Sequence, residues 1–165
     1  MNYIIQNLQP THWLEVARIY QVGIDTQRAT FQSEVPTWEE WDAGHIAFGR
    51  LVACYEGKVL GWIALSYISQ RAVYAGALEV SIYIDGKYKG MGIGTTLMNE
   101  IARISEENGV WSLYSAIIKE NEESIALHKK CGYREIGVRE RIAKMPNGKW
   151  HDIVLMERRS TVVGV

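Results

Sequence analysis

Two stretches of this chain hold side chains whose types and spacing can do chemistry. The first is Glu79-Val80-Ser81-Ile82-Tyr83-Ile84-Asp85, continuing into Lys89-Gly90-Met91-Gly92-Ile93-Gly94-Thr95. A strand-like apolar run feeds a glycine-rich turn, and the turn opens a helix. The first N–H groups of such a helix have no partner within it, glycine lets a ligand reach the backbone, and the helix dipole favours negative charge. The segment reads as a site for a phosphate-bearing ligand, with a carboxylate, Glu79, at the far end of its strand. The second stretch runs from Ala116-Ile117-Ile118-Lys119-Glu120-Asn121 through Ser124 to Leu127-His128-Lys129-Lys130-Cys131-Gly132-Tyr133. It places an amide at a helix start and an imidazole near the end of that helix. A partly desolvated carboxylate takes protons near neutral pH, and an imidazole gives or takes them.

Spacing separates the known kinds of phosphate loop. A P-loop needs Gly-x-x-x-x-Gly-Lys-Ser/Thr, and no glycine here is followed five residues on by Gly-Lys. A dinucleotide turn needs Gly-x-Gly-x-x-Gly. Counted from Gly90 its third glycine falls on Thr95, counted from Gly92 it falls on Leu97, and residues 110 to 117 hold no acid for a ribose. A protein-kinase loop needs a larger domain and its own catalytic motifs.

These residues must be held by a fold that the rest of the pattern outlines. Tyr3 to Leu8 reads as a strand. Pro10 starts a helix with Trp13, Val16, Ala17, Tyr20 and Ile24 on one face. Ala29 to Pro36 is irregular, and Thr37 is placed to cap a second helix containing Trp38, Trp41 and Ile46. Leu51 to Tyr55 and Val59 to Tyr67 form a hairpin around Glu56-Gly57-Lys58. After a loop from Ser69 to Gly76 come the strand Leu78 to Asp85 and the helix carrying Ile93, Leu97, Ile101 and Ile104. Leu113 to Ile118 is a strand, Asn121 to Lys130 a helix, and Tyr133 to Ile142 and Trp150 to Glu157 the last two strands. Antiparallel hairpins at both ends with a β-α-β-α crossover between them predict a mixed α/β (α+β) sheet of about seven strands with helices on both faces.

Composition narrows the class. A chain of 165 residues is read as one domain, 1–165, able to bury a substantial core. A net charge of −1 gives no electrostatic pull toward nucleic acid or anionic membrane, and the basic clusters Lys129-Lys130, Arg139 to Arg141 and Arg158-Arg159 read as solvated faces. No apolar run approaches a membrane span, and the N-terminus lacks the character of a signal peptide, so a cytoplasmic location is expected. Cys54 and Cys131 have neither metal-ligand nor disulfide-framework spacing, and no metal is expected.

The pattern left for the loop is a basic residue, two residues, Gly, one residue, Gly, here Lys89-x-x-Gly92-x-Gly94. It resembles the pyrophosphate loop of the GNAT superfamily of acetyl-CoA-dependent N-acetyltransferases. The Asn121 to Tyr133 segment resembles that family's second cofactor motif, and the element order matches over nearly the whole chain. Within the family the chain is similar to the branch acting on phosphinothricin, methionine sulfoximine and methionine sulfone. That similarity rests on Thr30-Phe31-Gln32-Ser33-Glu34, Arg71-Ala72-Val73-Tyr74, Glu79 with its strand, and Gly148-Lys149-Trp150-His151-Asp152. Gly90 departs from the pattern, because many relatives carry Arg or Lys there.

The resemblance implies an enzyme that moves acetyl from acetyl-CoA to the α-amine of a small amino-acid-like molecule. It implies cofactor contacts from Lys89, Gly90, Met91, Gly92, Ile93, Gly94, Thr95 and Asn121, with the pantetheine arm beside Ile82, Tyr83 and Ile84. A backbone N–H of that strand would meet the thioester oxygen. Glu79 would be the general base, although a strand-end carboxylate also explains it. His128 would be the general acid, although a structural hydrogen-bonder also explains it, and Asn121 could equally be a helix cap. Phe31, Arg71 and Tyr74 would form the substrate side, with Arg71 gripping an oxyanion. Trp150, His151 and Asp152 are secondary candidates for the pocket or a subunit contact. A homodimer is implied. A polyamine, an aminoglycoside or a protein N-terminus remains possible as acceptor, as does a CoA-binding module without catalysis.

Overall fold

In the computed structural model, which describes residues 1–165, seven strands form one sheet in the order β1-β2-β3-β4-β5-β7-β6. The strands are β1 (Ile4–Asn7), β2 (Leu51–Tyr55), β3 (Lys58–Tyr67), β4 (Ala77–Ile84), β5 (Ser112–Ile118), β6 (Arg134–Lys144) and β7 (Trp150–Arg159). Four helices accompany them: α1 (Trp13–Asp25), α2 (Trp38–Gly44), α3 (Ile93–Glu107) and α4 (Glu122–Lys130). The mixed α/β class and the element order follow the sequence reading. The first helix differs in its start, because Pro10–His12 makes a separate 3-10 turn in which Gln9 N–H donates to His12 Nδ1 at 2.9 Å. Thr37 caps α2 as its position suggests, its Oγ1 accepting from Glu40 N–H at 3.2 Å.

Alternation along the central strands sends side chains into two cores. Leu51, Ala53, Ile63, Leu65, Leu78 and Val80 pack against Ile93, Leu97 and Ile101 of α3 on one face. Val52, Cys54, Trp62 and Ala64 pack against Val16, Ile19 and Tyr20 of α1 and Trp41 of α2 on the other. Each fully buried Leu or Ile contributes about 1.5–3 kcal/mol relative to exposure, so both helix layers are fixed to the sheet by many independent contacts.

The parallel pair β4–β5 breaks off early. It is in register only from Ala77–Ser112 to Glu79–Tyr114. Beyond that point β4 stays paired with β3 up to Ile84–Gly61, and β5 stays paired with β7 up to Ile118–Ile153. Each strand keeps its outer partner while the inner edges part, and a V-shaped gap opens. Asp85 N–H donates to the Leu60 carbonyl at 2.9 Å, and the β3–β4 register runs without a bulge. Hydrogen bonding alternates along an antiparallel pair, so Glu79, Ser81 and Tyr83 turn their peptide groups to β3. Ile82 and Ile84 turn theirs into the gap, while Val80 N–H still faces Tyr114 at the last paired position.

Candidate active site

Asp85 ends β4 and anchors the turn that leads to α3. Its side chain, 6 % exposed, accepts from Lys87 N–H at 3.1 Å and from Arg18 at 2.8 Å. Burial opposes the charged carboxylate, but the Lys87 amide and the Arg18 guanidinium outweigh it and hold the pKa below the ordinary range. A 3-10 turn, Gly86–Tyr88, leads into the glycines. Gly90 and Gly92 have φ of 76° and 80°, which L side chains adopt at a cost. Gly94 does a different job: a Cβ there would sit 3.0 Å from a Leu127 methyl, so the missing side chain lets α3 and α4 approach. The first intrahelical bond of α3 runs from Thr96 N–H to the Gly92 carbonyl at 3.0 Å, which leaves the amides of Ile93, Gly94 and Thr95 free.

The free amides open on a groove of about 720 Å³. One wall is β4 with Ile82, Tyr83 and Ile84, another is the loop with Lys89, Gly90, Gly92, Ile93, Gly94 and Thr95, and Asn121 and Leu127 of the α4 segment close it. Met91, expected among the loop residues that contact the cofactor, does not line this groove and is 43 % exposed; the αL turn at Gly92 follows it. The Lys89 ammonium donates to Glu123 at 2.8 Å, and Arg28 approaches the same carboxylate at 4.0 Å. All three line the groove mouth, so Glu123 offsets two cations that an anionic ligand would use. Glu123→Gln is expected to lower the KM for a phosphate-bearing ligand about twofold to threefold at low salt, with the gain fading as salt is raised, as steady-state kinetics at two ionic strengths would show.

A second cleft of about 540 Å³ meets the groove at Ala29, Ile82, Tyr83, Asn121 and Ser124. Glu79, Phe31 and His128 line it, together with Tyr20, Thr30, Gln32, His45, Ser81 and Ser115. Glu79 lies where β4 and β5 separate, and burial pushes its pKa above the ordinary carboxylate range. It is the one acid of the cleft, and no lysine or arginine lines it. Phe31 leans toward His151, with ring centroids 6.2 Å apart, and His151 Nδ1 lies 3.1 Å from Glu120. Trp150 is 56 % exposed beneath Lys144, outside both cavities.

Arg71 and Tyr74 correct the sequence reading. Neither lines the groove or the cleft; the Arg71 guanidinium lies 5.8 Å above the Tyr74 ring, and both side chains are exposed. The reason is topological. Their loop joins β3 to β4 at the end where β4 and β5 are still bonded, and the gap opens at the other end.

Asn121 takes the helix-cap role. Its Oδ1 caps α4 by accepting from Ser124 N–H at 3.3 Å, and the residue lines both cavities. His128 differs from the expected direct proton donor. Its Nδ1 is 2.7 Å from the Ser124 carbonyl, which can only accept, so the ring proton sits on Nδ1. Nε2 is 2.8 Å from Ser115 Oγ and accepts from it, and burial lowers the ring's pKa. A neutral ring with a bare Nε2 has no proton to give there directly.

Ser115, His45 and Tyr20 were missed from sequence. Ser115 had a signal: it is the lone hydroxyl at the parity of Leu113 and Ile117 in an apolar strand. His45 had one too, four residues after Trp41, whose carbonyl its Nδ1 meets at 2.6 Å.

A helix start with free amides, joined through a split sheet to a second cleft holding one desolvated carboxylate, defines a site for group transfer from a phosphate-bearing donor. The acetyltransferase (GNAT) family matches residues 13–133. The chain belongs to that family and is an acyltransferase. It is 33 % identical over 154 residues to the phosphinothricin N-acetyltransferase of Alcaligenes faecalis, covering 87 % of this chain and 75 % of that protein. It is 30 % identical over 139 residues to the enzyme of the same name from Streptomyces viridochromogenes, covering 82 % and 75 %. A GNAT superfamily phosphinothricin acetyltransferase from Sinorhizobium meliloti, solved in complex with AcCoA, shares the fold with a TM-score of 0.88 at 24 % identity, over 99 % of this chain and 91 % of that one. No helix is long and apolar enough to cross a membrane.

Proposed function

We propose that residues 1–165, as a single domain, transfer acetyl from acetyl-CoA to the α-amine of a small amino-acid-like molecule of the phosphinothricin, methionine sulfoximine or methionine sulfone type. The observation that carries this reading is the gap between β4 and β5, which joins the anion-binding groove to the cleft of Glu79. The residues fit acetyl-CoA: free amides of Ile93, Gly94 and Thr95 face a pyrophosphate, and the unpaired edge of β4 faces the arm. Ile82 and Ile84 offer N–H and C=O groups to that arm as an added strand would. The N–H group of Ile82 lies on the same edge, past the last residue paired with β5, and is the donor available to a developing oxyanion.

Glu79 takes a proton from the substrate ammonium, since only the free amine attacks, and its raised pKa makes it a competent base near neutral pH. The amine then adds to the thioester carbonyl, and the tetrahedral adduct collapses to amide and thiol. A single carboxylate suits one ammonium group, whereas a polyamine or aminoglycoside calls for several acids. With no cation in the lining, the neutral donors Tyr20, Thr30 and Gln32 suit an uncharged sulfone or sulfoximine better than an anionic phosphinate.

The test is acetyl-CoA-dependent thiol release across an amine panel. Methionine sulfone and sulfoximine are expected to give a kcat/KM about tenfold or more above phosphinothricin, and all three to exceed spermidine and kanamycin. Preference for a polycation would overturn the assignment of the acceptor class. A homodimer belongs to the same reading; Ile136, Val138 and Ile142 of β6 are exposed apolar side chains such a pairing would cover. Light scattering reports it as twice the chain mass.

A further inference from the structure

Ser115 is the one hydroxyl on the α3 side of β5, between the core residues Leu113 and Ile117, and it is almost fully buried. Its Oγ lies 2.8 Å from His128 Nε2. The other nitrogen of that ring, Nδ1, is 2.7 Å from the Ser124 carbonyl and 3.4 Å from the Ser124 hydroxyl. The carbonyl fixes the proton on Nδ1, so the lone pair of Nε2 points at a hydroxyl that itself lines the acceptor cleft. Around the ring stands one other titratable group, Tyr133, edge-on at 4.9 Å with its buried hydroxyl unpartnered; burial keeps that phenol protonated. No carboxylate or cation hydrogen-bonds the imidazole, and burial favours its neutral form. Ser124, one helical turn before His128, lines both the cofactor groove and the acceptor cleft, which puts the pair beside the junction of the two. Glu79 points to the opposite face of the sheet, by the alternation of β4. The two sides of the gap therefore carry separate proton-handling groups.

We propose that Ser115 is the catalytic residue that exchanges a proton with the reacting atoms on this side, with His128 acting behind it as the relay. The proposal rests on the acetyl-transfer reading. Glu79 has already taken one proton from the ammonium, and the added nitrogen still carries a surplus one. Ser115 Oγ takes that proton while its own passes to His128 Nε2, which makes an imidazolium. As the C–S bond breaks, its electron pair goes to sulfur. His128 returns the Nε2 proton to Ser115 Oγ, and the Ser115 hydroxyl gives its proton to the sulfur. Amide and thiol result, His128 is again neutral with its proton on Nδ1, and Glu79 releases its proton to water. The bare Nε2, which disqualifies His128 as a direct donor, is what this sequence requires.

The experiment compares the wild type with Ser115→Ala, Ser115→Thr, His128→Gln and the Ser115→Ala/His128→Gln double variant. Methionine sulfone and acetyl-CoA are the substrates, and ¹⁵N NMR reads the histidine nitrogens of the wild type without ligands. The spectrum is expected to show His128 with a protonated Nδ1 and a bare Nε2. Ser115→Ala is expected to lower kcat about a hundredfold with the KM for acetyl-CoA within about threefold. Ser115→Thr recovers most of the loss, and the double variant falls no further than the worse single one, as groups acting as a unit do. A proton on Nε2, turnover of Ser115→Ala within about threefold of the wild type, or losses that multiply in the double variant would each overturn the relay. The NMR result is read on the wild type and stands even if a variant fails to fold. A wild type silent toward every amine counts against the acetyl-transfer reading, and the NMR result then decides the relay geometry alone.

Discussion

Glu79→Gln is expected to lose about two to four orders of magnitude in kcat/KM while binding acetyl-CoA as the wild type does. The magnitude is that of a positioned general base. Glutamine keeps the shape and a hydrogen-bond acceptor but cannot take the ammonium proton, so the loss falls on the chemical step. Calorimetric titration with acetyl-CoA separates this outcome from a collapsed site. The variant also carries a stability signature. Burial raises the Glu79 pKa in the folded chain above its unfolded value, so the carboxylate costs stability once pH exceeds the unfolded pKa, fully above the folded one. Glu79→Gln is therefore expected to melt higher than the wild type at neutral pH, with the difference shrinking as pH falls and Glu79 protonates. In the wild type, kcat/KM is expected to rise with pH through the same raised pKa, and that limb should vanish in the variant. An inactive variant with unchanged melting at both pH values would remove the desolvation argument.

Gly92→Val is the second large effect, and it acts on the donor. Gly92 holds φ at 80° at the N-cap of α3, a region that costs an L-residue about 1–2 kcal/mol and a β-branched one more. Relief of that strain must rotate the turn and with it the amides of Ile93 and Gly94. The KM for acetyl-CoA is expected to rise about tenfold to a hundredfold, since each 1.4 kcal/mol is about tenfold in affinity. Gly86→Ala is the control: Gly86 also lines the groove, but its φ is not positive and nothing lies within 4 Å of an added Cβ. Equal effects of the two substitutions would show that bulk near the groove, and not backbone conformation, sets the affinity.

What could be read from sequence divides by the range of the interaction. The Ile93, Leu97, Ile101 stripe, the alternation of β4 and the glycine spacing are local patterns, and each reports directly on a face or a dihedral angle. The Gly92 turn was legible because its neighbours along the chain are also its neighbours in space, whereas the role proposed for Glu79 came from the family resemblance and not from local pattern. The gap was not, because it depends on where two strands far apart in sequence cease to pair, at Glu79 and Tyr114. That long-range fact also moved Arg71 and Tyr74 out of the site, since their loop leaves the sheet at its closed end. It recast His128 as well. The ring's tautomer is set by the Ser124 carbonyl one turn back and by Ser115 across the interface with β5, and only the second of these needs the fold. Met91 falls outside the groove lining beside the αL turn at Gly92, which the glycine spacing implied without revealing where the preceding side chain goes.

The central claim is direct transfer across the gap, from the donor in the groove to the amine in the cleft, with no acetyl group carried by the protein. Ser115 beside His128 makes the rival concrete, because a hydroxyl hydrogen-bonded to an imidazole is also the arrangement of an acyl-accepting nucleophile. The most direct measurement is rapid quench of the protein mixed with a few equivalents of acetyl-CoA, with and without methionine sulfone, reading free thiol and the mass of the intact chain. Direct transfer gives no thiol burst and an unmodified chain without the amine, and with it one N-acetyl product per thiol released. A burst equal to the protein concentration in the absence of amine, with one acetyl group retained on the chain, would contradict it.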